Sequence, residues 1–186
     1  MTVGFAVCGS HCTFSQIFPA MEELAKHHTV IPIFSQAAAS TDTRFGSARE
    51  HLQRAEAICG CAPILTVAQA EPIGPKKLLD ALVIAPCTGN TLAKLAHSIA
   101  DSPVTMAAKS HLRNGRPILI GVSTNDALAG AADNIGKLMG RRHYYFIPFG
   151  QDDPIQKPTS MVADFSKLLP ALEAALGGRQ LQPILL

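Results

Sequence analysis

Tryptophan is absent from this chain of 186 residues and tyrosine occurs only twice, so the aromatic platforms on which nucleic-acid bases stack are missing. Charge is scarce as well. Charged residues make up 16% and the net charge is +2, too small to attract a polyanion. Nucleic acid is therefore not an expected partner. No window approaches ~18 unbroken apolar residues, so no membrane span is expected. The residues Met1-Thr2-Val3-Gly4-Phe5 run straight into a strand pattern, without the basic start and cleavage site of a secretory leader. A cytoplasmic location is the expectation. The five cysteines are odd in number, and Cys59-Gly60-Cys61 fits none of the usual zinc spacings, so neither a disulfide framework nor a metal site is expected. Buried thiols are the plain alternative, with Cys87 left as a candidate reactive thiol beside a polar turn.

What is present is a hydrophobic content of 47%, enough for one full core, and a single domain over 1–186 with a tail at 177–186 is expected. Ala81-Leu82-Val83-Ile84-Ala85 is apolar throughout and predicts a strand buried on both faces. Pro86, with no N–H to give to a ladder, is expected to stop it. Cys87-Thr88-Gly89-Asn90-Thr91 then forms a polar turn, and Leu92, Leu95, Ala96 and Ile99 recur at helical spacing. A strand, a polar turn and a helix in that order gather free N–H groups and the positive end of a helix dipole. That combination attracts phosphate, with an ordinary capped turn as the bland alternative.

The device recurs along the chain. Val3 to Cys8 predicts the first strand and Gly9-Ser10-His11-Cys12 the turn after it. Thr13 and Gln16 have capping-box spacing before a helix whose apolar face is Phe14, Ile17, Phe18, Met21, Leu24 and Ala25. The turn lacks the complete G-x-G-x-x-G dinucleotide fingerprint. Thr29 to Phe34 is a second strand, and Pro32 within it indicates an edge position or a bulge. Ser35 follows, then a small, polar, flexible segment from Ala37 to Gly46 that carries Arg44. Ser47 and Glu50 repeat the capping-box spacing before another helix, and Ile64 to Val67 is a candidate short strand.

Pro117 to Val122 reads as a further buried strand, ending in four N-capping residues, Ser123-Thr124-Asn125-Asp126, before a helix that carries Leu128 to Met139. Tyr144 to Phe149 reads as the last strand. Met161, Phe165, Leu168, Leu172 and Leu176 are assigned to one face of a C-terminal helix that Gly177-Gly178 ends. The apolar tail from Gln180 is expected to lie on its own surface or on a neighbour. Alternating strands and helices predict an α/β domain with a parallel sheet covered on both faces. Its ligand belongs beyond the strand carboxyl ends, where the turns at Gly9-Ser10, Ser35, Thr88 to Thr91 and Ser123 to Asn125 share one rim.

Pro86-Cys87-Thr88-Gly89-Asn90-Thr91, followed by Leu92-Ala93-Lys94-Leu95-Ala96, resembles the phosphate-binding signature of the flavoprotein family, which includes FMN-dependent cysteine decarboxylases and flavin prenyltransferases. Within that family, Gly9-Ser10-His11-Cys12-Thr13, Thr43-Arg44-Phe45-Gly46, Glu71-Pro72-Ile73-Gly74-Pro75-Lys76 and Asp101-Ser102-Pro103-Val104 look like the B subunits of bacterial dipicolinate synthases. Ser123-Thr124-Asn125-Asp126-Ala127-Leu128, Phe149-Gly150-Gln151-Asp152-Asp153-Pro154 and the tail extend the likeness nearly end to end.

The resemblance implies a flavodoxin-like or Rossmann-like three-layer sandwich with FMN in the rim site. It also implies an oxidoreductase that works with an A subunit carrying NADP, in the mother-cell cytoplasm during sporulation. The implied reaction turns a dihydro- or hydroxytetrahydro-dipicolinate precursor into pyridine-2,6-dicarboxylate. A non-catalytic, cofactor-free partner that stabilises the A subunit is the alternative, and a homo-oligomer is implied by the relatives. By the same resemblance, Ser10, Ser35, Thr88 and Thr91 supply hydroxyls to the cofactor, and Gly9, Gly89 and Asn90 bring backbone close to it. Ser123, Thr124 and Asn125 complete the expected cofactor-binding set.

Two departures stand out. The decarboxylases carry a Met-Asn-containing motif where this chain has Ser123-Thr124-Asn125-Asp126, so cysteine decarboxylation is not expected. The prenyltransferases place a phosphate-binding arginine near Ser123, and its loss removes a charge-assisted contact of about 1.5–3 kcal/mol. A small dicarboxylate substrate needs cationic partners, for which Arg44, Lys109, Arg113 and Arg116 are the candidates, Arg44 first because of its loop. His11 is the candidate proton carrier, with a merely local hydrogen bond as its ordinary alternative.

Overall fold

Strand β1 (Thr2–Val7) lies between β2 (Thr29–Phe34) and β3 (Ala81–Cys87), and all three run parallel. The computed structural model describes residues 1–186. On its other side β3 pairs in parallel with β4 (Ile118–Thr124), and β5 (Tyr144–Phe146) adds in parallel to the first half of β4. The resulting order, 2-1-3-4-5, is that of a flavodoxin-like sheet. Every residue of β3 is buried, which requires cover on both faces. Pro32 sits on β2, at the edge, where its missing N–H costs no internal ladder bond.

Helix α1 (Phe14–His27) turns Phe14, Ile17, Phe18, Met21 and Leu24 inward, as their spacing predicts. Ser35 caps the short α2 (Gln36–Ser40), and α3 (Ala48–Cys59) starts on the predicted capping box of Ser47 and Glu50. After α4 (Val67–Ala70) and β3 comes α5 (Gly89–Ala96), which packs against α6 (Pro103–Leu112) and α7 (Ala132–Met139). The core is one continuous cluster of buried apolar residues from β1 to the last helix, α8 (Leu168–Leu176).

Several boundaries differ from the sequence expectation, each for a local reason. Pro86 does not stop β3. The ladder to β4 shifts register between Ile84 and Cys87, and the proline sits in that slip, where no N–H is asked of it. Thr13 does not cap α1; a single 3-10 turn, His11–Thr13, precedes the helix, and the Thr13 hydroxyl donates back to Ser10 O at 2.8 Å. Much of 37–46 is ordered by α2 and by a turn in which Thr43 and Gly46 exchange backbone hydrogen bonds. Ile64 makes only an isolated bridge to Ile33, and Thr66 caps α4 instead of extending a strand. Ile99 lies beyond α5 and is exposed.

Ser123 and Thr124 complete β4 rather than cap a helix, and α7 begins only at Ala132. The last predicted strand splits at Ile147-Pro148. Phe149–Gly150 is a separate strand, β6, antiparallel to β7 (Met161–Ala163), which pairs antiparallel with the end of β4. Met161 is therefore a strand residue. The tail lies on its own sheet: Phe149 N–H donates to Ile184 O, Leu186 N–H donates to Phe149 O, and the Gln180 amide bonds both backbone groups of Phe146.

His111 in α6 is fully buried, with Nε2 against Pro117 O at 3.0 Å and Nδ1 without a partner. Burial pushes its imidazole down to about 4, against an opposing pull from the Pro117 carbonyl. The unfolded chain takes up this proton near pH ~6.5. Stability from the neutral ring is thus complete above that pH and is lost as the pH falls from about 6.5 toward 4. Urea unfolding at pH 7 and pH 5 is expected to show a loss of about 2 kcal/mol from this residue. In His111→Gln that part of the difference disappears.

Candidate functional site

Parallel strands deliver all their carboxyl ends to one rim, and here the turns after β1, β2, β3 and β4 meet there. Ser10, after β1, and Ser123, in β4, hold each other through their hydroxyls at 2.8 Å, across the end of the intervening β3. Two hollows open on either side of that rim and share Gly9 and Thr88 in their walls. Gly9 has little room for a side chain, since a Cβ there would stand 3.1 Å from the Ala37 Cβ.

The larger hollow, about 630 Å³, is lined by Ser35, Thr88, Asn90, Thr91, Lys94 and Ser102 among others. Three of these are helix caps. The Ser35 hydroxyl accepts from Ala38 N–H, that of Thr88 from Thr91 N–H and that of Ser102 from Thr105 N–H. The amino-terminal ends of α2, α5 and α6 therefore face one volume, the arrangement that favours an anion. Its lysine, Lys94, is held by both Asp101 oxygens at 2.9 Å.

The smaller hollow, about 370 Å³, is lined by Ser10, His11, Cys12, Thr43, Phe45, Ser123, Thr124 and Asn125, and by Asp152, Lys157 and Ser160 from the loop between β6 and β7. Lys157 pairs with Asp152 at 3.1 Å. Burial works to raise the Asp152 carboxyl, but hydrogen bonds from the Ser160 and Lys157 side chains outweigh it and hold the group below the usual range. The same pair raises the Lys157 ammonium. The Thr159 hydroxyl donates to Asn125 O at 2.7 Å, which ties this loop to the end of β4. The His11 ring lies against Phe14, tilted by 45° with 5.0 Å between ring centres, and its Nε2 is buried with no partner in the chain.

The residues singled out in sequence divide accordingly. Gly9, Ser10, His11, Ser35, Thr88, Asn90, Thr91, Ser123, Thr124 and Asn125 all line one hollow or the other. Gly89 stands behind the wall, where a Cβ would meet Asp126 Oδ1 at 2.8 Å and Thr124 Oγ1 at 2.9 Å. Arg44 does not reach the cleft; its exposed guanidinium stacks over Phe45 at 4.9 Å from the ring centre, and it is Phe45 that lines the wall. Lys109 and Arg113 line a different hollow, and Arg116 pairs with Asp80 at 3.4 Å. Lys157, Asp152, Ser102 and Lys94 were not singled out in the sequence as site residues. Ser102-Pro103, a cap followed by a first-turn proline, was the one available signal among them.

Cys87 is not a thiol at the mouth of the site. It is fully buried, burial pushes its thiol well up, and the neighbouring Cys8 sulfur adds to the effect. Cys8 is likewise buried and receives the Thr91 hydroxyl proton at 3.3 Å. Only Cys12 is exposed, on the wall of the smaller hollow. Iodoacetamide labelling of the native chain followed by mass spectrometry is expected to modify Cys12 first, and Cys8 and Cys87 only after denaturation. Early modification of Cys87 contradicts this arrangement.

A family model described as Flavoprotein matches residues 1–136. The B subunit of dipicolinate synthase from Bacillus subtilis (strain 168) is 48% identical over 184 residues, covering 98% of this chain and 92% of the relative. The crystal structure of the dipicolinate synthase B subunit from Bacillus halodurans C superimposes with a TM-score of 0.91 at 46% identity, over 100% of this chain and 95% of the other. Burkholderia xenovorans DmrB in complex with FMN, a cubic protein cage for redox transfer, shares the fold with a TM-score of 0.68 at 18% identity over 95% of each chain. The chain belongs to the flavoprotein family and groups within it with the dipicolinate synthase B subunits.

Proposed function

We propose that this chain is the flavin-binding B subunit of a dipicolinate synthase. Together with an A subunit that carries NADP, it oxidises a dihydro- or hydroxytetrahydro-dipicolinate precursor to pyridine-2,6-dicarboxylate during sporulation, in the mother-cell cytoplasm. One observation carries the proposal: three capped helix starts and a set of strand-end hydroxyls face a single cleft whose two lobes meet at Gly9 and Thr88.

The donor set fits FMN. Backbone N–H groups and the hydroxyls of Ser35, Thr88 and Ser102, with Asn90, suit its phosphate in the larger lobe. Ser10, Ser123, Thr124 and Asn125 suit the polar edge of its ring system in the smaller one. Bound FMN supplies an acceptor for a hydride equivalent. The chain's own residues do the rest. Lys157 is the cation placed to meet a substrate carboxylate, in exchange for part of its contact with Asp152. His11, whose Nε2 has no partner, is the group placed to take up the ring proton. The cage formed by DmrB supports a homo-oligomer as part of the same proposal.

A second reading is a cofactor-free partner that stabilises the A subunit. What favours it is charge: the one lysine in the larger lobe is already neutralised by Asp101, and Ser123 stands where the prenyltransferases have an arginine. The chain purified alone and with its A subunit, each assayed for bound flavin and for dipicolinate, separates the two. Flavin in the complex supports the first reading. Full dipicolinate yield from flavin-free complex supports the second.

Under the first reading, Ser10→Ala combined with Thr88→Val removes two neutral hydrogen bonds and is expected to weaken FMN binding about thirtyfold, read by fluorescence titration. Lys157→Met is expected to raise the KM for the dicarboxylate about tenfold while flavin content stays unchanged. If neither variant alters flavin content or dipicolinate formation, the rim cleft is not the working site.

A further inference from the structure

A third hollow lies between the end of α5, the inner side of α6 and the start of β5, and nothing in the proposed reaction uses it. It has a volume of about 350 Å³, which falls in the range of small-molecule sites. Its apolar wall is Leu95, Ile99 and Leu112, and its polar wall is unusual in sign. Lys109, Arg113 and Arg141 all border it, and no carboxylate does.

Lys109 in the last turn of α6 and Arg113 just past its end stand four residues apart, where the helix dipole tolerates cations, so those two alone have an ordinary explanation. Arg141 does not share it. This residue reaches across from the end of α7, and its guanidinium is pinned by Leu95 O at 3.1 Å and Ala96 O at 2.7 Å. Neither Lys109 nor Arg113 forms an ion pair, so the positive charge here is uncompensated by the chain. Tyr144 adds an independent observation. The residue as a whole is buried and lines the hollow, and its hydroxyl is not among the buried side-chain atoms left without a partner, so that oxygen keeps contact with the open space. A hydroxyl open to the hollow can donate to a ligand acceptor in place of water.

We infer that this hollow binds a small carboxylic acid with an apolar body, of the size of benzoate or a benzene dicarboxylate. The carboxylate sits among Lys109, Arg113 and the Tyr144 hydroxyl, and the hydrocarbon part lies on Leu95, Ile99 and Leu112. Arg141 contributes charge while its own hydrogen bonds hold the end of α5 in place. The hollow shares no lining residue with either lobe of the Gly9–Thr88 cleft, so the inference stands apart from the flavin cleft.

The test is an amide NMR titration of the full chain with benzoate, benzene-1,3-dicarboxylate, uncharged benzamide and inorganic phosphate. Saturable shifts confined to 95–100, 109–113 and 141–144 are expected with the two acids below about 10 mM. Lys109→Ala with Arg113→Ala, both exposed positions, is expected to weaken binding at least about tenfold, and Tyr144→Phe about fivefold. Benzamide and phosphate are each expected to bind at least about tenfold more weakly than benzoate. The inference is overturned if benzoate gives no saturable shifts there, if benzamide or phosphate binds as well as benzoate, or if the double variant binds undiminished. Shifts confined instead to the Gly9–Thr88 cleft would also overturn it.

Discussion

Parallel strand pairing is the constraint on which the rest of the molecule depends. It forces each crossover to return to the same end of the sheet, so every loop that leaves a strand carboxyl end arrives at a common rim. The 2.8 Å bond between Ser10 and Ser123 is a direct measure of how closely β1 and β4 converge there. Because β3 between them is buried at every position, its end at Cys87 cannot move outward without opening the core. The rim is therefore rigid in its foundations, while Phe45 and the loop carrying Lys157 are set on connecting segments above it.

The cleft suits an anion by geometry more than by free charge. Its cations, Lys94 and Lys157, are each matched by an aspartate, and the remaining donors are hydroxyls and backbone N–H groups at helix starts. Such donors are fixed before a ligand arrives and cost little reorganisation. The hollow bordered by Lys109 differs, with three cations and no acid on its wall. One fold thus carries two electrostatic arrangements.

The strands of the parallel sheet could be read from the chain because full burial writes itself as continuous apolar runs, as at Ala81 to Ala85 and Ile118 to Val122. Ser35, Thr88 and Ser10 were legible for a related reason, since their places follow from strand order alone. The antiparallel pair Phe149–Gly150 and Met161–Ala163 was not, because strands of two and three residues carry no periodicity to detect. Lys157 stayed hidden with it, as its approach to the cleft depends on how that hairpin folds back over Asn125. Arg44 misled because closeness in sequence to a rim turn does not decide which way a long side chain points; stacking on Phe45 decides it. His111 was invisible since a helical histidine reads as polar until its burial is known.

The closing segment has a consequence for how copies of the chain can meet. Open strands recruit other strands, and Phe149 would offer both its backbone groups to any passing chain. Here Ile184 and Leu186 take those groups, and a Cβ on Gly150 would stand only 2.9 Å from the Leu186 carbonyl oxygen. With that margin filled from within, Phe149 itself has no backbone group left to offer a neighbouring chain on this flank.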